Sequence, residues 1–434
     1  MRTRRWKNWA GDQIAAPEVF EEPASEAELQ DAVLRAAEAG QRIRPAGSGH
    51  SFSDIALSDE RMVSLRRMDG LIEADRESLR ARVQPGITLN ELGPALAEHG
   101  LAMENLGDID AQVVAGAVAT GTHGTGIEFK NISAQVDAMR LVVGDGSVVE
   151  VDGSDAGLLR AARVSVGALG VISELTLRCV PLFTLVRTDE PRPLADVLED
   201  WDGLAERNHH FEFFVFPYTD TALLRTCERT SDPPEPLSAR DVWIKDVLLE
   251  NAGLGAACRL GRARPSLIPR INRGIARSFG REVRKDYAYS VFANQRSVRF
   301  TEMEYSVPRA AGPEAVRRVL DLVKRRELPI TFPLEVRVVA QDDSFLSPAG
   351  GRDCAYIAVH QFAGMEFETY MRAVEGIMRS LDGRPHWGKR HYRTAADLAP
   401  AYPGWDDFQQ VRARLDPGGR FSNDFTDRVL GPVS

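Results

Sequence analysis

The sequence predicts an α+β protein in two domains, the second of them built on an antiparallel sheet. Three observations carry that prediction. At 434 residues the chain is longer than one compact core usually accommodates. Up to about residue 182, short strand-like runs and helices follow one another without the regular βαβ repeat of a doubly wound fold. From about residue 183 the β runs become longer, led by Phe211-Glu212-Phe213-Phe214-Val215-Phe216, with amphipathic helices between them.

Taken in order, Ser25 and Glu28 form a capping-box pair ahead of Leu29, Val33, Leu34 and Ala37. Gly40 supplies the stop, so a helix of about four turns is predicted there. Residues 41–44 lead into a glycine turn, and 62–65 and 81–84 read as short strands. Thr88 and Glu91 repeat the capping box for a second helix ending at Gly100, with His99 as a structural cation at its C-terminal end. Residues 136–143 and 147–151 flank Gly144-Asp145-Gly146, a hairpin signal, and 166–180 closes the first segment with one more strand. Beyond it, 211–216 is apolar enough on both faces to be central in a second sheet, and 232–236 is a proline-rich surface loop. Strands are expected within 289–307, 330–339 and 356–362, with helices at 313–327 and from 363 to Leu381. The tail beyond Lys389 is too short to fold alone and is expected to pack back on a domain.

Two stretches carry chemistry. Arg44-Pro45-Ala46-Gly47-Ser48-Gly49-His50-Ser51-Phe52 places two glycines, a serine and a histidine in one turn. Such a turn directs several backbone N–H groups into one concavity, which holds a phosphate, and glycine lets the backbone approach closely. Gly116-Ala117-Val118-Ala119-Thr120-Gly121-Thr122-His123-Gly124-Thr125-Gly126 is a second donor-rich loop with almost no bulky side chain. Two such loops suit a long dinucleotide. Gly47-x-Gly49 lacks a third glycine at Phe52 and its helix precedes the loop, so a nicotinamide cofactor is disfavoured. FAD is expected instead, its pyrophosphate on the first loop and His50 bonded to the flavin.

Composition narrows the rest. A net charge of −9 gives no general electrostatic case for nucleic acid. Cys179, Cys227, Cys258 and Cys354 form no CxxC pair, which argues against a zinc site or a disulfide framework and fits a reducing cytoplasm. The basic start, Met1 to Trp9, has no apolar run behind it, so neither a secretory signal nor a membrane span is expected. Between Arg259 and Lys285, eight arginines and one lysine face a single acid, Glu282. That run is a solvated helical face or, alternatively, a weak docking site for an anionic membrane surface. Glu335 and Arg337 lie two apart in a strand, so both project from one face while Val336 and Val338 project from the other. His209 and His210 have no carboxylate or cysteine at metal spacing, and no metal is expected.

Pro45-Ala46-Gly47-Ser48-Gly49-His50-Ser51-Phe52, Thr120-Gly121-Thr122-His123-Gly124-Thr125-Gly126, Met303-Glu304-Tyr305, Glu335-Val336-Arg337, His386-Trp387-Gly388-Lys389 and Leu415-Asp416-Pro417 occur in one order. In that order the chain resembles, from about residue 15 to 430, the sugar-lactone oxidases and related alditol oxidases of the vanillyl-alcohol oxidase flavoprotein family. The resemblance implies an FAD-binding α+β domain over 1–182, an antiparallel-sheet cap over 183–385, and a C-terminal return over 386–434 on the FAD domain. It implies covalent FAD through His50, with Ala46, Gly47, Ser48, Gly49, Ser51, Thr120, Gly121, Thr122, His123, Gly124 and His386 around the cofactor. His123 could instead simply cap its turn.

By the same resemblance Lys389 is a cation near flavin and substrate, and Glu335 and Arg337 fork sugar hydroxyls above the flavin. His360 joins that pocket or is structural, and Tyr305 and Gln361 border the substrate. The implied activity is oxidation of a sugar-acid 1,4-lactone by hydride transfer to flavin N5, reoxidised by oxygen or another electron acceptor. An alditol oxidase of xylitol or sorbitol type and a non-catalytic flavin-binding protein are the alternatives.

Overall fold

The computed structural model describes residues 5–238, 252–293 and 296–433; Met1 to Arg4 of the basic start lie outside them. The N-terminal region joins a three-stranded parallel sheet (Val19–Glu21, Arg61–Ser64, Ile43–Ala46) to a five-stranded antiparallel one. The latter runs in the order Val148–Val151, Val136–Val142, Val171–Arg178, Arg80–Val83, Leu71–Asp75. The helix expected after Ser25 spans Glu26–Glu38, where the Ser25 hydroxyl accepts the Glu28 N–H at 3.2 Å. The Thr88 box is complete in both directions and opens the helix Leu89–Glu98. The hairpin around Gly144-Asp145-Gly146 pairs Val142 with Val148.

Four elements of this region and the next depart from the sequence reading. The first half of the second small-residue loop is a helix, Val114–Thr120, which ends where Gly121 turns left-handed at φ 70°. Its alanines and valines bury one face in the domain core, and that packing outweighs the one internal glycine. A strand at Leu71–Asp75 and a helix at Ala156–Arg163, capped by Asp155, stand where no element was expected. Within 289–307 the first residues belong to a helix, Ala288–Phe292, because Ala288 and Val291 pack against Leu185 and Cys227.

From Thr184 onward the chain builds one eight-stranded antiparallel sheet. The strand His210–Val215 lies inside it, between Thr221–Thr230 and Leu334–Val339, and on its far side come Cys354–Phe362, Phe300–Pro308 and Arg384–Pro385. Strand alternation gives this sheet two unlike faces. Phe211, Phe213, Val215, Met303, Tyr305, Val307, Val336 and Val338 form one core with the helices Gly312–Arg325 and Glu368–Arg379. The register carries a charged row across the other face, Asp189, Arg225, Glu212 and Arg337, with Glu335, Glu304, Glu302 and His360 in neighbouring rows. His210–Val215 is therefore apolar on one face only; Glu212 interrupts the other, a correction to the reading of that strand.

From Trp387 onward the chain returns to the N-terminal core. Trp387, Tyr402, Trp405, Phe408, Phe425 and Val429 pack in one cluster with Leu158, Ala162 and Val166. No helix among the described residues is long and apolar enough to cross a membrane.

Candidate active site

The first loop lies in a groove. Ala46, Gly47, Ser48, Gly49, His50 and Ser51 line it, opposite Val113, Ala115, Gly116, Ala119 and Thr120 of the second segment and Ser165 to Gly167. The groove needs its glycines. A Cβ on Gly47 would meet Val113 Cγ2 at 2.8 Å, and Gly49 sits at φ +78°. The loop accepts bonds at Gly49 O from Trp9 N–H and at Ser48 Oγ from Val113 N–H. Among the described residues the N–H groups of Ser48, Gly49 and His50 donate to no protein acceptor. A groove floored by small residues and rimmed with free N–H donors fits the pyrophosphate of a dinucleotide. The residues present therefore suit FAD.

His50 also lines a second cavity of about 480 Å³, shared with Trp9, Phe52, Asp110, Arg296, Glu302 and Lys389. Its ring stacks on Trp9 with centroids 5.9 Å apart. Burial and then the Lys389 charge push its pKa down to about 4, so at neutral pH it is an uncharged imidazole. The His386-Trp387-Gly388-Lys389 segment is clipped to the first loop by Phe52 N–H donating to Gly388 O at 2.7 Å and Ser53 Oγ to Trp387 O at 3.3 Å. That clip brings Lys389 to the cavity. Its Nζ lies 2.5 Å from Glu302 Oε2 and 5.1 Å from the centre of the Phe52 ring. Burial favours a neutral amine, but Glu302 and Glu304 outweigh it and raise the Lys389 pKa. Burial likewise opposes ionisation of Glu302, yet Lys389 and His360 hold it at about 2. The pair is an ammonium and a carboxylate.

His360 is beside this pair. Its Nδ1 faces Pro333 O at 3.1 Å and so donates, which turns Nε2 toward Glu302 Oε1 at 3.6 Å. Deeper, His123 Nδ1 donates to Gly124 O at 2.8 Å and Nε2 meets Glu304 Oε1 at 3.2 Å, with His386 adjacent. His123 is thus a partner of Glu304 as well as a turn residue. Ligand atoms of His123, Glu304 and His386 lie within 4.8 Å of one another. Both ring nitrogens of His123 and Nδ1 of His386, which accepts the Gly388 N–H at 3.1 Å, are already committed. The trio therefore reads as a hydrogen-bond network and not as a metal centre. Burial pushes His386 down to about 3.

The Glu335–Arg337 pair forms at 2.6 Å, with Arg337 buried and Glu335 partly so. Arg337 Nε donates to Glu212 Oε2 at 2.7 Å, and Asp108 from the N-terminal region stands 3.4 Å from Arg337 Nη2, 3.9 Å from Arg225 and 2.5 Å from Arg296. Burial, opposed by Arg337 and reinforced by Asp108 and Glu212, raises the Glu335 carboxyl. Lys389 feels the Glu335 charge, so the two clusters are electrostatically continuous. Gly121, Thr122 and His123 lie behind the groove and do not line it, while Gly124 borders the Arg337 cluster.

Two expected substrate contacts are corrected. Tyr305 points into the apolar core and donates its hydroxyl to Glu375 at 2.6 Å. Gln361 alternates away from His360 and donates to Glu366 O at 3.0 Å. Sequence reading gave no role to Glu302, Glu212 or Asp108, nor to Glu304, which it met only inside the Met303-Glu304-Tyr305 motif.

Fold and site together define a two-domain, FAD-dependent oxidoreductase. Residues 175–429 match the family model for D-arabinono-1,4-lactone oxidase and residues 17–152 that for an FAD binding domain. The chain belongs to the D-arabinono-1,4-lactone oxidase family, within the vanillyl-alcohol oxidase type of flavoprotein, and oxidises a sugar lactone with FAD. It is 53% identical over 427 residues to L-gulono-1,4-lactone dehydrogenase of Mycobacterium tuberculosis, covering 98% of this chain and 99% of that one. It is 31% identical to L-gulonolactone oxidase of Mus musculus, covering 98% of each. Among solved structures, a cholesterol oxidase of Brevibacterium sterolicum superposes with a TM-score of 0.82 at 16% identity, over 98% of this chain and 96% of that one, and shares the fold.

Proposed function

We propose that the substrate is an L-gulono- or D-arabinono-1,4-lactone, oxidised at a carbinol carbon as its hydride passes to flavin N5, and that the flavin is bonded to His50. The observation that carries this is the position of His50, which lines both the dinucleotide groove and the cavity holding Lys389 and Glu302. FAD supplies the two-electron chemistry. Lys389, kept as an ammonium by Glu302, provides a fixed cation near the reacting atoms. In this reading Glu335 and Arg337, paired with each other at 2.6 Å and outside the lining of the His50 cavity, would offer an acceptor and a planar donor to sugar hydroxyls, and His360 orients toward the same carboxylate as Lys389. A neutral His50 keeps a ring lone pair available for the C8 methyl of the flavin.

The domain division at 182/183, with a cap over 183–385, is part of this reading. So is a cytoplasmic location, in keeping with four buried free thiols. Arg262, Arg264, Arg270, Arg273 and Arg277 are all exposed. They support weak contact with an anionic bilayer, to be read as salt-sensitive co-sedimentation with phosphatidylserine vesicles.

The test is anaerobic reduction with L-gulono-1,4-lactone and, separately, with xylitol, followed by admission of air. Bleaching by the lactone alone is expected, and the recovery rate separates oxygen from another acceptor. Bleaching by xylitol alone would replace the lactone with a polyol. Acid precipitation is expected to leave the flavin on wild type and to release it from His50→Ala. Full release from wild type would refute the covalent bond.

A further inference from the structure

Among the described residues, the cavity that His50 shares with Lys389 is lined by five titratable side chains: His50, Asp110, Arg296, Glu302 and Lys389. Each of its two cations already has a carboxylate. Lys389 Nζ is 2.5 Å from Glu302, and Arg296 Nη2 is 2.5 Å from Asp108. Asp110, by contrast, forms no ion pair among the described residues. Its side chain accepts only the amide of Asn90, at 2.6 Å. His50 is neutral at physiological pH. The rest of the described lining is uncharged, aromatic at Trp9, Phe52 and Phe300 and polar at Thr88, Asn90 and Gln112. Among these residues an incoming carboxylate would find no unpaired cation and two anions. A neutral ring carrying hydroxyls would find amides, a hydroxyl, and both partners of an ion pair able to donate and to accept.

We propose that Asp110 and Glu302 are specificity-determining residues that exclude the open-chain aldonate and so select the uncharged lactone from a solution in which the two interconvert by hydrolysis. This rests on the lactone reading above and adds to it which form of the sugar acid is admitted, and by what. Like charges at contact range in a partly desolvated site cost enough to separate otherwise similar ligands by about tenfold or more.

The experiment measures dissociation constants on the flavin-loaded enzyme from the perturbation of its visible spectrum. The probes are L-gulono-1,4-lactone under anaerobic, stopped-flow conditions, L-gulonate, and sorbitol as an open-chain ligand without charge. Wild type is expected to bind gulonate at least about tenfold more weakly than both lactone and sorbitol. Asp110→Asn, which keeps the shape and the Asn90 contact, is expected to tighten gulonate severalfold with little change in sorbitol. Glu302→Gln, which frees Lys389, is expected to tighten gulonate further and to make it compete with lactone.

Wild type binding gulonate as tightly as sorbitol would overturn the proposal, as would two folded variants that leave the gulonate-to-sorbitol ratio unchanged. If sorbitol reduces the flavin and lactone does not, the lactone reading fails. The charge ratio then still decides the roles of Asp110 and Glu302 on a polyol substrate.

Discussion

Lys389 shows how a residue type acquires meaning only from its partners. In isolation a lysine near a chain end is a solvated surface group, yet here its side chain is 21% exposed and locked on Glu302. Lys389→Met should lower the rate of anaerobic flavin reduction by about 100-fold or more with a smaller change in substrate affinity, because the charge matters most as reduction proceeds. Stopped-flow reduction against substrate concentration separates the two effects. His50 offers a pH prediction. Its pKa falls from 6.5 to about 4 on folding, so the neutral form is favoured. Its stabilising contribution is complete above about pH 6.5 and is lost as pH drops toward 4. Apoprotein incubated with FAD should therefore attach flavin at about pH 5.5 as readily as at pH 7, a result that acid-stable absorbance reports. An attachment rate that falls with a midpoint near 6.5 would mean an ordinary, solvated histidine. Gly47, Gly49 and His50 were legible in the sequence because a glycine turn announces itself locally. Asp108 was not, since its role is defined by three arginines that are 117, 188 and 229 positions away in the chain.

At the scale of elements, the decisive feature is the two-faced sheet. Thr301-Glu302-Met303-Glu304-Tyr305-Ser306 already carries the alternation that puts both glutamates on the charged face and Met303 and Tyr305 in the core. The period-2 rule that placed Glu335 and Arg337 correctly would have placed Glu302 and Glu304 too, and would have removed Tyr305 from the substrate. The helix Val114–Thr120 was hidden for a different reason: its composition matches a flexible loop, and only burial of its alanines and valines makes it helical. The charged face itself depends on Asp108, whose carboxylate neutralises Arg225, Arg296 and Arg337. Burial would favour the neutral acid, but those arginines hold its pKa far below the usual carboxylate range. Asp108→Asn leaves three guanidinium groups short of an anion in a buried network, which should cost about 3 kcal/mol of stability. Thermal or urea unfolding of the flavin-loaded protein checks this. A loss under about 1 kcal/mol would show that Glu335 and Glu212 suffice.

For the molecule as a whole, the C-terminal return locks the cofactor loop from behind, which no local pattern in a polar tail reveals. Arg44, the first residue of the loop segment, is 1% exposed and donates to Phe421 O at 2.6 Å as well as to Ile55, Val166 and Gly167 carbonyls. Asn423 does two jobs at once. Its Oδ1 accepts the Thr426 N–H at 3.0 Å and caps the helix Asp424–Leu430, while its Nδ2 reaches the carbonyls of Asp54, Ile55 and Leu57 at 3.2, 3.2 and 2.9 Å. The two can be told apart. Asn423→Ala removes cap and clamp and should cost about 3 kcal/mol, roughly 1 from the cap and the rest from carbonyls left without a donor. Asn423→Asp keeps the cap, since a carboxylate oxygen still accepts the helix N–H, but turns an anion on the three carbonyls of the His50 loop. If the return braces the flavin site, Asn423→Asp should weaken FAD retention at least as much as the alanine variant, measured as loss of bound flavin on dilution before the covalent bond has formed. Should the aspartate variant hold FAD as wild type does, the helix cap alone accounts for Asn423 and the loop stands without its brace.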